Sequence, residues 1–251
     1  MEDIYNDGTY IENNPDLHEG ESDFKFDNFR PFLDGIELQE KEIKILDVGG
    51  GAGKISFLVA EYFKKKGYEP KVTAYDLSAQ MLEVQKQNNP YIVETVQASI
   101  EEIEDREFDL TLMIDVIEHI KNYREAARRL GLVSRYIVYN IPIEINFIDL
   151  LRNVYKGGKH YPMQTKTLGH LHFFSWGTAK RFLLDFYETI NQEFIPYCDY
   201  LLESDLPQYV ELRKSKIRNV ELKASAFLNR VIPVASKYFV QGSMYSLVKK
   251  R

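Results

Sequence analysis

The sequence predicts an α/β fold, a parallel sheet with helices on both faces. Short apolar or β-branched runs alternate with amphipathic helical stretches, and a glycine cluster at 49–53 directly follows an apolar run. Alternation of strands and helices requires crossover connections and therefore parallel strands. Ligands of such sheets bind at the carboxyl ends of the strands. The glycine cluster is therefore the first candidate for a binding site.

The predicted elements follow one another in regular order along the chain. Their apolar or β-branched composition predicts strands at 44–49, 72–75, 92–97, 109–114, 133–139, Thr189–Pro196 and Ser243–Val248. Apolar residues at helical spacing predict helices at 54–66, 78–87, 123–130 and 176–187.

The 251 residues are predicted to form one domain with three elaborations. Residues 1–40 form an N-terminal lid segment and 41–141 the ligand-binding core. Residues 142–175, rich in glycine, histidine and aromatic residues, are expected to be a loop-rich insertion. Residues 199–240 carry leucines and valines at helical spacing and are expected to be a helical cap. We expect both insertions to lie on the acceptor side of the site.

Composition excludes several classes of protein. A formal net charge of −6 disfavours broad binding to nucleic acid, and we interpret the basic run 213–218 as a solvated helix face. The single cysteine, Cys198, cannot form an internal disulfide, which favours a reducing cytoplasm. No apolar run reaches the roughly 18 residues of a membrane span, and no signal peptide is evident. We therefore expect a cytoplasmic protein with neither a nucleic acid nor a membrane as partner.

The glycine cluster does not fit the common phosphate-binding motifs. A dinucleotide fingerprint, G-x-G-x-x-G, would need a third glycine where Lys54 or Ser56 stands. A P-loop would need glycine at Val48 and Ser or Thr at Ile55. A different small-molecule site is therefore favoured.

The pattern that does fit is D-x-G-x-G-x-G, formed by Asp47, Gly49, Gly51 and Gly53, and here the chain resembles the class I S-adenosylmethionine-dependent methyltransferases. The resemblance implies that this turn holds the methionine end of S-adenosylmethionine. It also implies that Asp76, after the second strand, binds the two ribose hydroxyls, because a carboxylate can accept two hydrogen bonds.

Further motifs extend the resemblance to about residue 120. Ser78 and Met81 resemble the Ser-x-x-Met helix start of the family. Asp115 begins a run, D-V-I-E-H, close to that of the type 11, ubiquinone-biosynthesis-like branch, and the resemblance makes Asp115 a further cofactor-binding residue. Ser99 stands where many relatives have a carboxylate for the adenine amino group, so this sequence departs from the family pattern there. The resemblance places four residues around the adenine, namely Leu77, Met81, Ser99 and Ile100.

The resemblance implies a Rossmann-like, doubly wound, seven-stranded sheet with an antiparallel last strand. It also implies methyl transfer to a hydroxyl or another oxygen or nitrogen of a small molecule. His119 and His172 are the candidate general bases, since imidazole titrates near neutral pH. His170 and His172 have no evident third partner, so no metal site is predicted. The segments 10–18 and 169–176 resemble methyltransferases of surface-glycan and small-metabolite pathways, which makes a sugar a candidate acceptor.

Two other functions stay open at this point. One is an NAD-dependent oxidoreductase, because dehydrogenases also place an acidic residue such as Asp76 on a ribose. The other is a catalytically silent, methyltransferase-like partner subunit that keeps the cofactor. We also expect that a homodimer could form through the 200–239 cap.

Overall fold

The computed structural model describes residues 19–104 and 106–251. Its strands are β1 (Glu42–Val48), β2 (Glu69–Asp76), β3 (Ile92–Gln97), β4 (Phe108–Ile114), β5 (Ser134–Ile143), β6 (Tyr187–Pro196) and β7 (Gly242–Lys250). Its helices are α1 (Ser22–Phe29), α2 (Lys54–Lys65), α3 (Ala79–Asn88), α4 (Tyr123–Val133), α5 (Phe147–Tyr155), α6 (His160–Leu168), α7 (Trp176–Phe186), α8 (Cys198–Glu203), α9 (Pro207–Lys214), α10 (Lys216–Val231) and α11 (Ser236–Phe239).

The strands form one seven-stranded sheet in the order β3-β2-β1-β4-β5-β7-β6. β1 pairs in parallel with β2 and β4, and β2–β3 and β4–β5 are parallel as well. The last strand, β7, is antiparallel and lies between β5 and β6. The predicted Rossmann-like fold with a reversed last strand is confirmed.

The central strands are buried because their side chains are apolar on both faces. In β1, Ile43, Ile45 and Leu46 have no exposed surface, and Leu110 and Leu112 of β4 are equally buried. A strand covered on both faces reads as a continuous apolar run. The chain leaves this apolar environment where β1 and β2 end, so polar side chains appear at the carboxyl edge.

The chain folds into two compact units. The first unit contains the described residues up to 140, together with 182–192 and 245–251, and the second contains 141–181 and 193–244. Helices α5, α6 and α8 to α11 belong to the second unit. The division of the chain into one domain with acceptor-side insertions stays a prediction.

The expectation of a loop-rich insertion at 142–175 was wrong, because most of this segment is helical. Asn146 caps α5 by accepting a hydrogen bond from Asp149 N at 3.0 Å. Gly157 and Gly158, with φ values of 62° and 81°, separate α5 from α6. Glycine adopts positive φ without steric cost, so the pair ends one helix and allows the next to begin. The two glycines suggested a loop, and the capped helix before them went unnoticed in the sequence.

Residues 1–18 lie outside the described residues, and with them His18 and most of the predicted lid segment. No helix in the described part of the chain is both long enough and apolar enough to cross a membrane.

Candidate functional site

The glycine turn connects β1 to α2 within the first unit. Three of its residues have left-handed backbones, with φ values of 60° at Gly49, 55° at Gly51 and 79° at Gly53. A Cβ at Gly49 would lie 3.0 Å from Val116 Cγ2, and one at Gly53 would lie 3.0 Å from Gln85 Cα. These contacts are tighter than most Cβ contacts, and together with the left-handed backbone they favour glycine. The turn therefore exposes bare backbone amides at the start of α2, an arrangement that suits a polar ligand.

Asp47, near the end of β1, points its carboxylate back into this turn. The residue is 3% exposed, and a Cβ at Gly50 would overlap its Oδ2 atom. That same oxygen is buried and has no hydrogen-bond partner among the described residues. Burial raises the pKa of Asp47 to about 6, helped by the charge of Asp76 and opposed by a bond from Ser56. A buried acceptor without a partner is costly unless a ligand supplies a donor.

Asp76, the last residue of β2, lies at the same edge of the sheet. Its carboxylate accepts hydrogen bonds from Ser78 N at 2.9 Å and from Gln85 Nε2 at 3.3 Å. Burial raises the pKa of Asp76 to about 6, although both of these hydrogen bonds lower it. The Gln85 Oε1 atom is buried and has no partner among the described residues. Asp76 and Gln85 thus offer acceptors side by side, as a vicinal diol requires.

The residues predicted around the adenine follow β2 and β3. Ser78 caps α3 by accepting a bond from Met81 N at 3.4 Å. Leu77 is half-buried, whereas Met81 and Ile100 are buried. Ser99 precedes a 3-10 turn, Ile100–Glu102, and its backbone N–H donates to Glu102 Oε2 at 2.9 Å. Their contact with adenine stays a prediction.

Asp115, which follows β4, has its carboxylate occupied by protein groups. Lys25 Nζ of α1 lies 2.9 Å from Asp115 Oδ2, and Asn140 Nδ2 donates to Oδ1 at 2.9 Å. Asp115 also has a φ of 54°, which costs energy for a residue with a Cβ. Its predicted role in cofactor binding is untested. The next residue, Val116, carries the side chain that packs against Gly49.

His119 belongs to the 3-10 turn Ile117–His119 that follows β4. Its side chain is 20% exposed, and its Nε2 atom lies 3.9 Å from Oε1 of Glu118, whose side chain is 1% exposed. A partly exposed imidazole beside a buried carboxylate is a suitable general base. The first unit therefore brings His119 to the sheet edge that also carries Asp47 and Asp76.

The second candidate base, His172, lies in the second unit and is half-buried. The neighbouring His170 contacts Glu144, with Nδ1 2.9 Å from Oε2. Burial raises the pKa of Glu144, while His170 lowers it. Catalytic roles for His119 and His172 stay predictions.

Three polar residues of the first unit escaped sequence reasoning. Lys25 reaches Asp115 from a segment predicted only as a lid, and Asn140 lies within an apolar strand. Gln85 lies one helical turn beyond Met81, a spacing that could have placed it beside the strand-end carboxylate. For Asn140, the available signal was a single polar residue within an apolar strand.

The geometry fits S-adenosylmethionine. Its amino group and ribose hydroxyls are donors, and Asp47 Oδ2 and Gln85 Oε1 are buried acceptors that need donors. The left-handed glycines let backbone lie against the ligand.

Comparisons with known proteins point to the same cofactor. Residues 46–133 match the model of the methyltransferase domain family, type 11. No curated protein matches the sequence.

Two solved structures share the fold at low identity. Phosphoethanolamine N-methyltransferase 2 of Haemonchus contortus, bound to phosphomonomethylethanolamine and S-adenosylhomocysteine, has a TM-score of 0.58 at 16% identity. The match covers 89% of this chain and 52% of that one, so this chain spans about half the length of that enzyme. Geranyl diphosphate C-methyltransferase of Streptomyces coelicolor A3(2), bound to Mg²⁺, geranyl diphosphate and S-adenosylhomocysteine, has a TM-score of 0.57 at 8% identity, covering 87% of this chain and 78% of that one.

A third structure, a methyltransferase of Archaeoglobus fulgidus dependent on S-adenosylmethionine, matches over 91% of this chain and 94% of its own, with a TM-score of 0.55 and 17% identity. At such identities the structures establish the fold, while the family model and the site residues identify the cofactor. Residues 46–133 of this chain form a type 11 methyltransferase domain, and its cofactor is S-adenosylmethionine.

Proposed function

We propose that this methyltransferase acts on a hydroxyl group of a small-molecule acceptor. The observation that carries the proposal is the imidazole of His119 beside the buried carboxylate of Glu118 at the carboxyl end of β4. An amine acceptor that binds uncharged needs no base, whereas a hydroxyl gains from losing its proton during transfer. A residue pair suited to proton removal therefore favours oxygen as the acceptor atom.

S-adenosylmethionine supplies a methyl group that its sulfonium already activates. The residues of this chain then have two tasks, to align the acceptor atom with the S–CH₃ bond and to accept one proton from the acceptor. Orientation alone can contribute roughly 7–11 kcal/mol to lowering a barrier. A general base typically adds about 10²–10⁴-fold in rate.

In this proposal His119 takes the proton of the acceptor hydroxyl. Glu118 stabilises the imidazolium that forms, because its carboxylate is buried and lies 3.9 Å from the ring nitrogen. Asp47 and Asp76 hold the cofactor and take no part in the proton transfer. A sugar of a surface-glycan precursor is the acceptor class we propose to test first, since the segments 10–18 and 169–176 resemble enzymes of such pathways.

A screen for release of S-adenosylhomocysteine tests the acceptor class. Purified protein is incubated with S-adenosylmethionine and matched sets of sugars, phenols, amines and carboxylates. We expect turnover with hydroxylated acceptors, and turnover confined to amines or carboxylates would contradict the proposal. Calorimetric titration with S-adenosylmethionine and NAD, run in parallel, confirms that the protein in the screen binds its cofactor.

Replacing the proposed base tests the mechanism. In His119→Asn, kcat with a hydroxyl acceptor should fall by about 10²–10⁴-fold while cofactor affinity stays unchanged. The plot of rate against pH should lose its acidic limb, because the imidazole proposed as the base is gone. His172→Asn is the matched variant; a loss of the acidic limb there, and not in His119→Asn, would assign the base to His172.

A further inference from the structure

Helix α5 exposes five of its apolar or aromatic side chains, whereas both of its charged side chains are buried together with Ile148. Phe147, Leu150, Leu151 and Val154 recur at helical spacing, and each is 48% to 76% exposed. Tyr155 extends the same stripe and is 57% exposed. A surface helix normally turns such a stripe toward the core. In α5 the stripe has the opposite orientation and faces away from the core.

The buried side of α5 shows why the helix keeps this orientation. Asp149 is 0% and Arg152 is 4% exposed, and the two form an ion pair. Arg152 also pairs with Glu221 of α10, while Gln241 Nε2 donates to Asp149 Oδ1 at 3.0 Å. Turning the helix over would separate these charges from their partners at high cost. The polar network therefore holds the apolar stripe at the surface.

Lysines follow the stripe along the chain, and the unit that contains it has an excess of positive charge. The second unit contains 13 lysines and arginines against 8 aspartates and glutamates, although the whole chain has a net charge of −6. Lys156 and Lys159 follow α5 directly, and Lys166 lies on the next helix. None of these three lysines forms an ion pair with another residue of the described ranges. Their charges are thus available to an anionic partner.

We propose that the exposed face of α5, with Lys156 and Lys159, docks on the surface of an anionic lipid bilayer. An apolar stripe flanked by lysines is the arrangement by which helices lie in the headgroup region, with apolar side chains below and cations near the lipid phosphates. The helix has nine residues and is far too short to span a bilayer. This peripheral contact departs from the expectation that the protein has no membrane partner.

Charge also decides between a bilayer and a second copy of the chain. A symmetric dimer through α5 would bring the same patch of both copies together. The exposed part of that patch carries Lys156 and Lys159 and no carboxylate, so the interface would collect four lysines without a counter-charge, and like charges oppose association. An anionic surface satisfies both the apolar stripe and the lysines.

Flotation with lipid vesicles tests the proposal on the full-length protein. Vesicles of phosphatidylcholine mixed with anionic phosphatidylglycerol, whose negative surface attracts basic segments, are compared with vesicles of phosphatidylcholine alone. The double variant Leu151→Glu/Val154→Glu alters the stripe. Its matched control, Val93→Glu/Leu132→Glu, adds two carboxylates at apolar residues of the first unit that are 63% and 49% exposed.

The wild-type protein and the matched control should float with anionic vesicles, and the stripe variant should bind at least tenfold more weakly. Lys156→Gln/Lys159→Gln should lose about fivefold for each lysine at low salt, because each basic residue near such a surface contributes that factor. Failure of the wild type to float would overturn the proposal. Light scattering that shows a dimer, converted to a monomer by the stripe variant, would also overturn it and assign the face to a second copy.

Discussion

The turn after β1 and the helix α5 bury charged groups for opposite purposes. In the turn, the buried Asp47 retains an oxygen without a partner among the described residues. In α5, the buried Asp149 is contacted by Arg152, Asn146 and Gln241. Burying an ionisable group costs free energy unless partners compensate for the lost water. A buried acid that lacks a partner for one oxygen indicates a ligand site, whereas a buried acid with a full set of partners indicates a structural role.

The comparison yields a rule that mutations can test. Removing a partner from the network around α5 should harm stability, because the remaining charges stay buried. Removing a charge from the turn should harm ligand binding and leave stability unchanged or improved.

The largest effect is expected from Arg152→Ala. The change leaves Asp149 buried without its cation, and loss of one partner of a buried ion pair typically costs about 3–5 kcal/mol. Urea unfolding followed by circular dichroism measures the difference in the free energy of unfolding. A cost below about 1 kcal/mol, the range of exposed pairs such as Arg128–Glu125, would show that the network contributes little.

The next effect concerns the stability of the ligand-free protein against pH. Because its folded pKa is raised to about 6, Asp47 contributes stability that is fully present below about pH 4 and is lost as the pH rises through 6. Asp47→Asn should therefore match the wild type at pH 4 and exceed it at pH 8, by up to about 3 kcal/mol. Unfolding curves at both pH values give the answer. Equal stability of the two proteins at pH 8 would mean that the carboxylate is compensated.

Cofactor binding should depend on Asp76. Asp76→Ala removes an acceptor for the ribose hydroxyls, and hydrogen bonds to charged groups contribute about 1.5–3 kcal/mol. Affinity for S-adenosylmethionine should fall by roughly 10- to 100-fold in calorimetric titration. Asp109→Ala, at the opposite end of the sheet beside Lys44, serves as the control and should bind normally. Normal binding by Asp76→Ala would show that the ribose lies elsewhere.

The smallest effect is expected from Gly53→Ala. At a φ of 79° an alanine is strained, and its Cβ would press on the α3 backbone at Gln85. A left-handed residue with a Cβ costs about 1–3 kcal/mol, which should appear as a lower midpoint of thermal unfolding. Gly67→Ala also has a positive φ but meets no atom within 4 Å, so it isolates the backbone contribution from the steric one.

Regular alternation along the chain was enough to predict the first unit from sequence. The five parallel strands and the helices between them appear within a few residues of their predicted limits. Local apolar periodicity is a reliable signal when each element buries one or two complete faces. It failed at α5, because there the apolar stripe faces outward and the polar side is buried.

The candidate site was predictable where a motif fixes the backbone. The positive φ values at Gly49, Gly51 and Gly53 are a direct consequence of the glycine pattern. Lys25 and Asn140 were not predictable in this way, because their role depends on contacts across 90 and 25 residues of sequence to Asp115. Such long-range polar contacts produce no periodic pattern in the sequence.

The position of β7 has a consequence for how this chain folds. β6 has β7 as its only neighbour in the sheet of the described residues, yet β7 is synthesised some 45 residues later. The edge of β6 therefore stays unpaired until β7 has been synthesised, and unpaired edges promote aggregation. Closing the sheet pairs segments that are distant in sequence, and contacts of this kind slow folding. We expect completion of β7 to be the late, rate-limiting event, and the nascent chain to need protection until then.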